Sequence, residues 1–227
     1  MARNFTIAAL ILKGRRRCDQ ENRDILSAAE WQDELSTICS EFQGLIVDSG
    51  ARVFESEQTI TADGSAGYDF PADFLASVGV DRLVGTRREH LTPLLVQERN
   101  HTNSSTGNAR FYSLVGDQIR FFPNPSSGTY YHIYAPQCPD YSESVTTTEI
   151  NVITPAGENF FTWSLALVGG VKEESDLTPY YEKQVEKYRA RVEKWAMQQM
   201  LNAPVRRYVE YGSPDNPFRD DNGDWQR

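Results

Sequence analysis

The residues of this chain that could do chemistry are few and scattered. Its three histidines, His90, His101 and His132, share no metal-ligand spacing with a cysteine or a carboxylate. His132 lies inside the aromatic run "YYHIY" and reads as a strand residue, whereas His90 and His101 fall on turn-like stretches and are expected at the surface. The cysteines Cys18, Cys39 and Cys138 are odd in number, far apart and without a C-x-x-C pair, which predicts buried thiols in a reducing setting. "DGSAG" at 63–67 sets a serine between glycines, but it is not G-x-S-x-G and no helix signal follows. Its Asp-Gly reads as a turn. "RDDNGDW" at 219–225 lacks the spacing and closing glutamate of a calcium loop and reads as a polar tail. Carboxylate pairs such as Glu173 and Glu174 follow by chance from 32 acidic residues. No phosphate loop or dinucleotide fingerprint is present. These residues predict no catalytic group, no metal and no cofactor, and so a chain that is not an enzyme.

The elements around them form an α+β pattern: a helical bundle with an inserted antiparallel β region and an extended C-terminal tail. Residues 4–17 are predicted as a first helix whose cationic end, Arg15, Arg16 and Arg17, suits the negative pole of the helix dipole. Those arginines read as a solvated terminus. The apolar run Phe5–Leu12, eight residues long, is too short to span a bilayer, and Lys13–Arg17 stands where a cleavage site would be needed. A protein that neither enters a membrane nor is secreted is expected. Ser27-Ala-Ala-Glu30 is a capping box, and Trp31, Leu35, Ile38, Phe42 and Leu45 then recur on one helical stripe up to a stop at Gly50.

From Arg52 to Pro139 short runs of Val, Ile, Thr, Tyr and Phe are punctuated by Gly, Pro, Asn and Ser. "QTITADGSAGYDF" suggests two strands around Asp63-Gly64, "VDRLVGTRREHLTPL" another pair, and "RFYSLVGDQIRFFP" a hairpin turning at Gly116-Asp117. Successive tight connections predict an antiparallel sheet or small barrel. Residues 140–153 read as a linker. Thr154-Pro155 opens a mostly apolar, buried helix in which Gly169-Gly170 permits close packing or a bend. Thr178-Pro179 opens another, with Tyr181, Val185, Tyr188, Val192 and Trp195 on a narrow stripe among many charges. Pro204 ends it. The expected division is therefore 1–51 and 154–203 for the helices, 52–139 for the β region, 140–153 for the linker and 204–227 for the tail.

Composition bounds the partners. Apolar content of 39% and charged content of 24% over 227 residues describe a globular chain with a sizeable core. A formal net charge of −9 argues against broad affinity for phosphate backbones, leaving only local basic patches for such contacts. Tyr112, Tyr130, Tyr131 and Tyr134 could form a carbohydrate platform, the second reading. A cell-wall hydrolase would need two positioned carboxylates in a cleft, the third.

The order of elements carries a resemblance. "SAAEWQDELSTICSEFQGLIVDSG", "YDFPADFL", "LTPL" and "YSLVGDQIRFFPNPSSGTYYHIYAP" follow one another as in the head-to-tail adaptors, or head-completion proteins, of tailed bacteriophages. The resemblance covers roughly residues 4–203. It implies a structural virion protein of the neck, assembled in the host cytoplasm. Copies of the chain would form a ring, expected as dodecameric, beneath the portal protein. The ring would extend the DNA channel, touch packaged DNA transiently and present a platform to a nozzle, tail-tube or fibre protein. On this resemblance Glu182, Glu186, Arg189 and Glu193 are candidates for contacts between subunits. Arg15, Arg16 and Arg17 are candidates for contact with DNA or portal, and Tyr208, Tyr211, Phe218 and Trp225 for tail anchors on the portal.

Overall fold

Among the residues that the computed structural model describes, 4–21, 25–94 and 107–202, the chain forms helices and mostly antiparallel sheets. In chain order these are β1 (Asn4–Thr6), α1 (Ile7–Arg17), α2 (Ala28–Asp48), β2 (Ser56–Thr61), β3 (Tyr68–Asp69) and β4 (Phe74–Val84). Then come β5 (Arg87–His90), β6 (Thr92–Pro93), β7 (Phe111–Val115), β8 (Gln118–Phe122) and β9 (Thr129–Pro136). β10 (Glu149–Asn151), α3 (Pro155–Lys172) and α4 (Thr178–Asn202) complete the order. The expected first helix starts three residues late. Thr6 keeps an extended backbone and acts as N-cap, its Oγ1 accepting from the Ala9 amide at 3.2 Å. This frees Asn4–Thr6 to pair with β10. The expected linker therefore contains a strand, and its earlier part is laced to α2: Ser36 Oγ donates to Asp140 Oδ1 at 2.9 Å and Gln32 Nε2 to the Ser144 carbonyl at 2.8 Å.

The capping box forms as expected. The Glu30 amide bonds Ser27 Oγ, and the Ser27 amide donates to the Glu30 carboxylate at 2.7 Å. α2 then buries Trp31, Leu35, Ile38, Cys39, Phe42 and Ile46. α3 is the hub of the helical core, packed against α1, α2 and α4. Its glycines are close-packing points rather than a bend. A Cβ at Gly169 would meet Cys18 Sγ at 2.8 Å, and one at Gly170 would meet the Tyr181 ring at 2.7 Å. α4, 25 residues long, buries Tyr181, Val192 and Ala196 along one stripe and leaves its other faces to solvent.

The β region builds a separate apolar cluster from Ile60, Val80, Tyr112, Ile119, Phe121 and Tyr130. One sheet runs β2-β9-β4-β5 and a second β3-β8-β7-β6. Two predicted hairpins are present, β4–β5 and β7–β8, the latter closing Val115↔Gln118 around Gly116-Asp117. The third is not. β2 and β3 flank Asp63-Gly64 but belong to different sheets, β2 pairing with β9 and β3 with β8. The connection there is a crossover, and Asp63 Oδ1 ties it by accepting from the Ser65 amide and the Tyr68 hydroxyl. β6 and β7 pair in parallel, which the hairpin-based expectation did not include.

Candidate functional site

The helical faces, rather than a catalytic cleft, gather the predicted residues. Glu182, Glu186, Arg189 and Glu193 recur at spacings of four, three and four, so they share one flank of α4. With Leu167 of α3, Val185 and Ala190 they line a groove of about 520 Å³. Arg189 is engaged inside it, its Nε 3.3 Å from Glu193 Oε1 and its Nη1 3.6 Å from Glu41 Oε1 of α2. Sequence reasoning found the charged flank but missed Leu167 and Glu41. Helix packing brings those two to the groove, and no local pattern records it.

The three arginines at the end of α1 are not equally solvated, which corrects the expectation of a free terminus. Arg17 lies 4.2 Å over the Trp163 ring and donates to Asn159 Oδ1 at 2.7 Å. Burial lowers its guanidinium from the ordinary value, yet an arginine stays cationic. Arg15 donates to the carbonyls of Gln20 and Glu21. Arg16 projects outward and pairs with Glu21 at 2.9 Å, both side chains being about half exposed. Lys13 reaches Glu158 at 2.7 Å across to α3.

The tyrosines do not form a sugar platform. Tyr112, Tyr130 and Tyr134 are buried, and the Tyr131 ring is covered by the Arg88 guanidinium at 3.9 Å. Along β9 inward and outward residues alternate, so Tyr130, His132 and Tyr134 point into the protein. His132 is fully buried, its Nε2 3.1 Å from Ser77 Oγ, and burial pushes it down to about 4. His90 is a strand residue rather than a turn residue. Its Nδ1 lies 3.0 Å from the buried Asp81 Oδ1, beside a polar hollow of about 430 Å³ that includes Arg82, Glu89 and Arg110. Cys18 and Cys39 are buried and Cys138 half-buried, as thiols were expected to be. His101, and the tail residues Tyr208, Tyr211, Phe218 and Trp225, lie outside the described residues.

The model of one protein family, described as SU10 adaptor protein, matches residues 5–213. That span takes in every helix and strand from the second residue of β1 to the end of α4 and extends ten residues beyond the point where the sequence resemblance was expected to stop. The chain belongs to the SU10 adaptor protein family. As a phage adaptor of that family it has a structural role in the virion. No curated protein matches it closely enough to add a relative. Among the described residues of this adaptor no helix is long and apolar enough to cross a membrane.

Proposed function

We propose that this adaptor assembles as a ring, dodecameric in expectation, beneath the portal protein. There it extends the DNA channel and joins the capsid to the next tail component, a nozzle, tail-tube or fibre protein. The observation that carries the reading is the one-sided burial of α4 in a chain of the adaptor family. Its 25 residues extend about 37 Å at 1.5 Å each, and among the described residues one stripe of it is buried while its charged flanks are exposed. A long helix with uncovered flanks suits lateral packing between copies, the helices of residues 1–51 and 154–203 forming the ring bundle. The β region of 52–139 then faces outward or toward the tail, joined through 140–153. Tyr208, Tyr211, Phe218 and Trp225 of the tail anchor on the portal, where aromatic side chains supply contact area when buried.

The net charge of −9 suits a channel through which DNA slides, because a negative wall repels phosphate. Arg16, the most outward of the three α1 arginines, then gives at most a transient DNA or portal contact. The neck of the virion is the final location and the host cytoplasm the place of assembly. The test is to mix the purified chain with the portal protein of its phage and image the product by electron microscopy. A closed ring of adaptor copies on the portal is expected. A portal without adaptor, or with copies bound singly, would overturn the reading.

A further inference from the structure

Two faces of the helical core are complementary to each other, and neither is complementary to itself. The first is the groove on α4. Its floor is apolar, formed by Leu167, Val185 and Ala190. Around it stand the carboxylates of Glu41, Glu182, Glu186 and Glu193 against the single guanidinium of Arg189, which Glu41 and Glu193 engage. Glu182 and Glu186 have no cationic partner among the described residues. Of the lysines of α4, Lys187 lies about 100° or more around the helix from both, and Lys183 and Lys194, about 60° and 80° from Glu186, form no ion pair with it among the described residues.

The second face is α1. Ala8, Leu12 and Arg16 are its exposed residues, spaced four apart on one stripe. Leu12 is 39% exposed, high for a leucine on a helix of eleven residues. The helix carries Lys13, Arg15, Arg16 and Arg17 and no acidic residue. Among the described residues Arg16 is paired with the exposed Glu21, and a surface pair of that kind is weak enough to exchange for a better partner.

The dimensions agree as well. The eleven residues of α1 extend about 16 Å, the same as α4 from Glu182 to Glu193. α1 and α4 are both packed on α3. The groove is formed on the side of α4 that reaches Glu41 of α2, while the α4 residues near Arg17 are Tyr180 and Tyr188. The two faces are therefore separate and can be occupied together.

We propose that α1 of one copy seats in the α4 groove of the next, antiparallel to α4. Leu12 enters over Val185 and Ala190, and Arg16 meets Glu182 and Glu186. The antiparallel sense also sets the negative end of the α1 dipole beside the positive end of α4. Groove against groove would face carboxylates with carboxylates, and stripe against stripe would face arginines, so a two-fold dimer through either face is disfavoured. Unlike faces on one chain give a head-to-tail contact, the type that closes into a ring. This pairing rests on the ring reading above and names the surfaces that make it.

The test uses the full chain with its portal, counting rings by electron microscopy for wild type and three variants. These are Arg16→Glu, the pair Glu182→Lys with Glu186→Lys, and all three substitutions in one chain. Every altered side chain is exposed, so the fold is retained. Arg16→Glu and the lysine pair are each expected to lower ring yield about tenfold, as like charges across an interface do. The triple variant, with the charges exchanged, is expected to restore it. Wild-type rings that persist in Arg16→Glu and in the lysine pair would overturn the pairing and leave the ring reading standing. Loss in those variants without recovery in the triple would also overturn the pairing, since the two faces would then meet something other than each other. Absence of wild-type rings would overturn both.

Discussion

Among the described histidines, His132 is the one whose side chain is fully buried. Its ring is enclosed by Phe70, Phe74 and Tyr134, with centroids 5.8, 5.6 and 5.5 Å away, and its Nε2 meets only the Ser77 hydroxyl. No acidic group offsets the loss of water, so burial pushes its pKa from 6.5 down to about 4. Between those values the unfolded chain binds a proton that the folded chain does not. The contribution to stability is therefore full above about pH 6.5 and falls as the pH drops toward 4, by about 3 kcal/mol in all. His132→Phe removes the titrating group and leaves the half-exposed Ser77 to water. Urea midpoints measured from pH 7 to 4 should fall more steeply for wild type than for His132→Phe. Parallel slopes would show that His132 titrates normally. The sequence placed this residue on a strand correctly, because the alternation of "YYHIY" is local. Its desolvation was not legible, since Phe70 and Phe74 come from a segment some sixty residues earlier.

At the scale of elements, glycines separate what a helix gains alone from what it loses in packing. A Cβ added at Gly44 of α2 would meet no heavy atom within 4 Å, so Gly44→Ala should gain the intrinsic helix preference, about 1 kcal/mol. Gly14 of α1 has the same intrinsic cost, but an added Cβ would lie 2.5 Å from Leu165 Cβ, an atom fixed to the α3 backbone. Overpacking of that kind costs ~1–3 kcal/mol, so Gly14→Ala should lower the melting temperature while Gly44→Ala raises it. Equal shifts in calorimetry would show that α1 does not approach α3 so closely. The elements legible in the sequence were those written in one local period. The stripe of α2 with its capping box, the proline-started helices α3 and α4, and the Gly116-Asp117 hairpin are of that kind. β1 was hidden because three residues cannot display a period and its partner β10 lies about 145 positions away. The crossover at Asp63-Gly64 was not legible, because a turn signal reports that the chain reverses, not which strand it joins. The groove on α4 was half legible: its charges are periodic along one helix, whereas Leu167 and Glu41 arrive from two others.

At the scale of the molecule, the question is which part of the chain holds the subunit together and which part reaches beyond it. Among the described residues, the buried apolar side chains of the helical core end at Ala196, and those of the β region end at Ala135. The core that the described residues form thus lies before the tail. Residues 205–227 carry four arginines against five carboxylates, so their removal changes the net charge of −9 by only one. They also carry Tyr208, Tyr211, Phe218 and Trp225, side chains that stabilise an assembly only when something covers them. A chain shortened after Pro204 should keep its far-ultraviolet circular dichroism and its melting temperature. Its cosedimentation with the portal should fall by about tenfold or more, the loss expected when buried aromatic anchors are removed from an interface. Because the charge is nearly unchanged, such a loss could not be assigned to altered long-range attraction. Undiminished cosedimentation would remove the tail from portal binding and leave attachment to the helical faces, whereas a lowered melting temperature would place the aromatic residues on the subunit itself.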